Sequence, residues 1–315
     1  MEFKEEIEKL FHELKIQKDN FSTLQNERHQ LKELIEKNEA AWGALETEYK
    51  MMLVRLLDEI SNLKQGVIQK NIVMESEKKN EVGIIIVTYN QSQLIKKQVE
   101  CIRWFCKDDA DIIIVDNSTD ADVIAAIQFY NNDSLHCKYY KTTALSKNGS
   151  DSHSFAANLA YMKFKDDYRY LFFIDHDNFP VKDFSVKGLL DGKVMAGLGQ
   201  KPKDTLYMWA GCVMFDLAKI EPGLINFSTS HDLQCDTGGM LCRIIERYGE
   251  DRCVFFDEVH VQNPNFNKSM YNFYALINGG GFMHFINSSS WNPSEANEER
   301  INSLLNILDE KLAGK

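Results

Sequence analysis

Hydrophobic positions follow two different rhythms along this chain. Over residues 1 to about 70, apolar side chains recur in alternating steps of three and four, through Phe3, Ile7, Leu10, Leu14, Phe21, Leu24, Leu31, Ile35, Trp42, Leu45, Tyr49, Met52, Leu56 and Leu63. Proline is absent there, and Glu, Lys and Leu are abundant. A narrow stripe sustained over so many turns predicts a coiled coil, because one helix cannot bury it alone. At about 1.5 Å per residue such a helix would extend on the order of 100 Å. Gln17, Arg28 and Asn38 fall on the seam, where polar side chains trade stability for register. Phe21, Trp42 and Tyr49 are bulky for a tight two-stranded contact, so a homo-oligomer of open order is expected through residues 1–70. The alternative is a long helix folding back on its own globular domain. The charged stretch 71–81, containing Glu75-Ser76-Glu77-Lys78-Lys79-Asn80, loses the heptad and reads as a linker.

From Val82 the rhythm changes to short apolar runs alternating with helical periodicity, so 82–315 is expected to form the globular domain. Strands are predicted up to Thr88 and Val115, near Cys137–Lys141, and up to Ile174. Helices are predicted at Gln91–Phe105, about Asp120–Tyr130, and Ser154–Phe164. This order predicts an α/β sheet of mostly parallel strands. Beyond Asp177 come strands near Val194–Leu198 and Trp209–Phe215, then helices near Gly238–Tyr248 and Pro293–Leu312.

Composition narrows the function classes. A formal net charge of -11 argues against nucleic acid or an anionic membrane surface as partner. No apolar run reaches membrane-spanning length, so no transmembrane segment is expected. Seven cysteines, with no CxxC pair, read as buried thiols in a reducing compartment. A cytoplasmic protein is the expectation.

The three clearest apolar runs each stop at polar residues. They end in Thr88-Tyr89-Asn90, in Asp116-Asn117-Ser118, and in Asp175-His176-Asp177. Ligands of open α/β sheets bind at the carboxyl ends of strands, so all three ends are candidate site elements. Asn90 and the Asp116–Asp120 segment are equally explained as turns and helix caps. Asp175 and Asp177 are harder to explain structurally, because paired carboxylates repel unless a cation or donors neutralise them. A hard cation such as Mn²⁺ or Mg²⁺, sharing a phosphate-bearing substrate, fits that pair. His176 points away from the site in this alternation.

Taken in order, these segments resemble those of family 2 glycosyltransferases with the GT-A fold. In that family the first strand ends in Thr-Tyr-Asn, the second in an Asp, and the fourth in a DxD motif. Asn148-Gly149 and Ala156-Ala157-Asn158 are similar to further family elements between them. The resemblance covers residues 82–216 well and the remainder loosely. It implies a Rossmann-like mixed sheet, a nucleotide-sugar donor, and a glycan or other hydroxyl acceptor. It implies that Thr88, Tyr89, Asn90 and Asp116 surround the base and ribose, with Asn158 nearby. Asp175 would reach the ribose or the metal, Asp177 would bind the metal, and His284 would be a third ligand or a packed core histidine. Cys235-Asp236 occupies the place of a Glu-Asp acceptor motif, so only Asp236 carries over as general base, with Asp232 in reserve. The alternative for Asp236 is to cap the helix that follows, from Thr237 to Tyr248. Trp209, Tyr271 and Trp291 could stack on a sugar or simply pack.

Two other readings stand beside a metal-dependent, inverting transferase. A sugar nucleotidyltransferase would use a related sheet, but Thr88-Tyr89-Asn90-Gln91 lacks the Gly-rich, basic loop such enzymes place after the first strand. A non-catalytic scaffold that binds nucleotide sugar or glycan is favoured by the Cys at 235 and disfavoured by the Asp175/Asp177 pair.

Overall fold

The protein is described here from a computed structural model, which covers residues 80–142, 149–221, 223–230, 233–266, 272–286, 288 and 295–313. The expected coiled coil over 1–70, most of the 71–81 linker, Asn148, Asp232, Tyr271 and Trp291 lie outside the described residues.

The apolar runs form the centre of a sheet. Strands β1 (Val82–Thr88), β2 (Ala110–Asp116), β3 (Lys138–Lys141) and β4 (Tyr170–Asp175) pair in parallel, and β6 (Met195–Gln200), β7 (Tyr207–Asp216) and β8 (Cys253–Phe256) complete it. The order is β3-β2-β1-β4-β7-β6-β8, with β7 antiparallel to both neighbours. Isoleucine and valine dominate β1 and β2 because both faces of these central strands are buried, which leaves no place for alternating polar residues.

Alternate side chains of the central strands enter two cores. Ile84, Ile86, Ile112, Ile114, Phe172 and Ile174 pack with helix α1 (Ser92–Phe105), Ile127 of α2 (Ala121–Tyr130), and the terminal helix α6 (Glu295–Ala313). Ile85, Val87, Ile113, Val115, Leu171 and Phe173 pack with α3 (Gly149–Phe164) and α5 (Cys242–Tyr248). Each fully buried side chain of this kind contributes roughly 1.5–3 kcal/mol of transfer free energy before the entropy cost of ordering it.

A second sheet lies beside the first core. Its order is β5-β11-β10-β9, formed by β5 (Asn178–Pro180), β9 (Glu258–Gln262), β10 (Phe273–Ile277) and β11 (Phe282–His284), all antiparallel. The sequence pattern gives no sign of it, because β5 and β11 span three residues each and β9 is mostly exposed. A short helix, α4 (Val186–Leu190), was likewise not expected; Ser185 caps it through its hydroxyl. Helix α3 begins at Gly149, earlier than the predicted Ser154, and the terminal helix runs Glu295–Ala313 rather than Pro293–Leu312. No described helix is long and apolar enough to cross a membrane.

Candidate active site

Parallel register makes the ends of three central strands flush. Thr88 stands opposite Asp116, and Val87 opposite Asp175. Beyond β4 the chain turns through His176 and Asp177 and enters β5 at Asn178, so the two carboxylates sit where the large sheet hands the chain to the small one. The turn is held from several sides. His176 Nδ1 lies 3.2 Å from Val87 O, Phe285 N donates to Asp177 O at 2.8 Å, and Asn178 Nδ2 donates to Gly211 O at 3.1 Å.

Asp175 points at a residue that the sequence pattern did not single out. His153, on the first turns of α3, brings Nε2 to 2.9 Å from Asp175 Oδ1, although neither atom has a well-aligned hydrogen bond. Burial by itself would lower the His153 pKa, but the Asp175 charge, then Asp236 and Asp177, outweigh it and leave it raised. Burial would raise Asp175, and His153, with His176 and His284 further off, leaves it lowered. Carboxylates from two parts of the chain, the Asp175–Asp177 turn and Asp236, therefore bear on one imidazole. A histidine among small and polar residues, Ser150-Asp151-Ser152-His153-Ser154, carries no apolar periodicity, and only its place one helical turn before Ala157 hinted at a shared face.

His284 ends β11 directly across from Asn178, and its Nε2 lies 3.6 Å from Asp177 Oδ1. Its ring tilts against Trp209 with centroids 4.6 Å apart, and its Nδ1 is buried without a hydrogen-bond partner. Trp209 thus packs on the site histidine. Gly211 leaves the room that Asp175 occupies, since a Cβ there would fall 2.6 Å from Asp175 Oδ2 and 2.3 Å from the Trp209 ring. Two ligand atoms about 2.1 Å from one ion stand at most about 4.2 Å apart, so the Asp177–His284 spacing suits a shared divalent cation. Among the described residues no group of three or more His, Cys, Asp or Glu side chains is gathered closely enough to hold a metal alone. An ion held by Asp177 and His284 would need water and substrate oxygens to complete its shell, as Mg²⁺ and Mn²⁺ commonly use at phosphate sites.

Asp236 stands near this group without belonging to a helix. It is exposed, its Oδ1 accepts from Thr237 N at 2.7 Å, and its backbone N donates to Tyr207 Oη at 3.3 Å. The capping role does not hold. The following helix starts with a single 3₁₀ turn at Gly239 after Gly238, whose φ of +89° suits glycine, and no side chain caps it. Cys235 is buried and burial raises its thiol pKa, so it supplies no acid in place of a Glu.

Of the remaining site candidates, all but Thr88 are engaged by the protein itself through their side chains. Asp116 is fully buried, with Oδ2 accepting from Tyr139 Oη at 2.6 Å and Oδ1 from Ser118 N at 2.8 Å. Asn90, at φ +49°, clamps the two loops: its Oδ1 accepts from Thr119 N and Asp120 N, and its own N donates to Ser118 Oγ. Tyr89 Oη lies 3.4 Å from Thr119 Oγ1, and the Thr88 hydroxyl is buried without a hydrogen-bond partner. Asn158 Oδ1 accepts from Phe227 N at 3.0 Å. With Asp151 accepting from Thr229 Oγ1 and Ser150 O from Thr237 Oγ1, it makes α3 a clasp for the segment that carries Asp236.

No protein-family model matches the chain, and no curated protein sequence does. The solved structures to which it is similar include glycosyltransferases. The mannosyltransferase PcManGT of Pyrobaculum calidifontis, in complex with GDP-Man and Mn²⁺, shares 16% identity over 44% of this chain, with a TM-score of 0.32. The bifunctional glycosyltransferase WbbM shares 12% over 58%, at 0.34. Residues 1–349 of S. aureus TarS, with UDP-GlcNAc, share 14% over 47%, at 0.31. The matches span 45%, 40% and 48% of those chains, less than half of each.

Proposed function

We propose that residues 82–315 form a metal-dependent glycosyltransferase that moves a sugar from a nucleotide-sugar donor to a hydroxyl acceptor with inversion. The observation that carries this reading is the pairing of the Asp175–Asp177 turn with two histidines, His153 at 2.9 Å and His284 at 3.6 Å, at the carboxyl edge of a mostly parallel sheet. Such an edge is where open α/β sheets bind nucleotides.

Asp177 and His284, with Asp175 beside them, would hold Mn²⁺ or Mg²⁺, which supplies positive charge against a leaving diphosphate. Asp236, exposed and outside any helix, is the general base: it takes the acceptor's hydroxyl proton as that oxygen bonds to the anomeric carbon. The bond from that carbon to the phosphate oxygen breaks, and its electron pair leaves with the nucleoside diphosphate. His153 keeps Asp175 ionised. Asn90 and Asp116 hold the loops that frame the nucleotide. Residues 1–70 assemble copies of the chain, and 71–81 link them to the transferase.

A panel of nucleotide sugars, with and without Mn²⁺, tests the reading by binding and by release of nucleoside diphosphate. Metal-dependent binding and turnover by the wild type, both lost in Asp177→Ala, are expected. Wild-type turnover in Asp177→Ala would overturn the site. A second reading, a scaffold that binds nucleotide sugar without turnover, draws on the buried Cys235 in place of an acid. Binding without product from any donor would favour it.

A further inference from the structure

The middle of α1 carries one polar side chain into an apolar core. Gln98 is fully buried among Leu94, Ile95, Val99 and Ile102 of its own helix. Its Nε2 donates to Asp175 O at 2.5 Å and to Asn178 O at 2.6 Å. One amide group thus spans the first and last residues of the acidic turn, with Asp177 between them. Both acceptors are carbonyls, so the nitrogen must face them, and an NH₂ has one hydrogen for each. The amide orientation is fixed by chemistry.

The cost is visible on the other side of the same group, because Gln98 Oε1 is buried without a hydrogen-bond partner. An orphaned buried acceptor is destabilising, because it gives up its bonds to water without replacement. A leucine at this position would avoid that cost but leave two buried carbonyls of the turn without this donor. The other bonds to the turn reach Asp177 O, the His176 ring and the Asn178 side chain, so none replaces Gln98 at the Asp175 and Asn178 carbonyls.

We propose that Gln98 is a positioning residue for the divalent-cation site: by clasping both ends of the Asp175–Asn178 turn it sets where the Asp175 and Asp177 carboxylates point. This rests on the transferase reading above, in which those carboxylates face a metal-bound diphosphate. Partners behind metal ligands typically govern affinity by about 10–100-fold.

The test uses the full chain and Mn²⁺ as the probe, titrated alone and with UDP or GDP, followed by calorimetry and by the Mn²⁺ paramagnetic resonance signal. Gln98→Met keeps the length and apolar fit but removes the donor. It is expected to weaken Mn²⁺ binding about tenfold or more. Leu94→Ala, a core cavity on the same helix, is expected to lower thermal stability while leaving Mn²⁺ affinity within about twofold. Should Gln98→Met fail to fold, Gln98→Glu keeps the volume and turns a carboxylate toward the two carbonyls; the same loss of Mn²⁺ affinity is expected. Wild-type affinity in a folded Gln98 variant would overturn the inference alone, as would an equal loss in Leu94→Ala. Absence of Mn²⁺ binding by the wild type, with or without nucleotide, would overturn the transferase reading and this inference together.

Discussion

His153 Nε2 lies 2.9 Å from Asp175 Oδ1, and it joins a helix that no ligand pattern marked to the strand end that carries the acidic pair. Both side chains are about one-fifth exposed, so the pair is neither a surface contact nor a fully enclosed one. Its expected contribution falls between the about 1 kcal/mol of an exposed pair and the about 3–5 kcal/mol lost on breaking a buried one.

The pair gives stability a defined pH window. A raised His153 pKa adds stability that is complete below the ordinary value of 6.5 and fades as pH climbs through the raised value. A lowered Asp175 pKa adds stability that is complete above the ordinary 3.8 and fades as pH drops through the lowered value. The difference in melting temperature between the wild type and His153→Ala should therefore be greatest from about pH 4 to 6.5 and shrink at alkaline pH. A difference that stays flat from about pH 4 into the alkaline range would show that the charge pair is not what His153 contributes.

Gly211→Ala is expected to damage the site more than the fold. The added methyl must displace either the Trp209 ring or the Asp175 carboxylate, and overpacking of this kind costs about 1–3 kcal/mol. Metal-dependent nucleotide-sugar binding should drop by tenfold or more, on the order of what loss of ligand geometry costs, while circular dichroism stays that of a folded protein. Unchanged binding would mean that Asp175 does not depend on the space at 211.

Asn90 separates backbone conformation from side-chain bonding. Its φ of +49° strains any residue with a Cβ except those, like Asn, that bond locally. Asn90→Gly loses the side-chain bonds, among them those to Thr119 N, Asp120 N and Thr119 Oγ1, whereas Asn90→Ala loses them and keeps the strain. Chemical denaturation should rank wild type above glycine above alanine, with about 1 kcal/mol between the two variants. Alanine equal to glycine would assign the whole effect to the lost bonds.

Removal of residues 1–70 is expected to lower the mass in solution to that of a single transferase domain, as read by light scattering, with the thermal transition of 82–315 retained. A full-length chain that already runs as a monomer would refute the assembly role.

The parts of the fold that were legible in the sequence share one cause. Ile84–Val87 and Ile112–Val115 are uniformly apolar because two cores flank them, and that uniformity identifies central strands without ambiguity. Asp175 and Asp177 were legible because paired carboxylates at such a strand end demand an explanation. The small sheet was not, since β9 exposes most of its side chains and β5 is too short for a period to register. Asn158 shows a related gap: its chemistry suits a ligand, and nothing in the sequence marks the bond by which it accepts from Phe227 N. His153 was hidden in a polar stretch where only the helix itself gives the residue a direction.

The turn that joins β4 to β5 carries the chain from the large sheet into the small one, as Asp257 does between β8 and β9, and β5 pairs with the strand that ends in His284. A load applied to either sheet would be shared between Asp257 and the turn that holds Asp177 beside His284. Whatever ligand bridges those two side chains would feel, and resist, any sliding of one sheet against the other, so occupancy at this seam doubles as a mechanical brace.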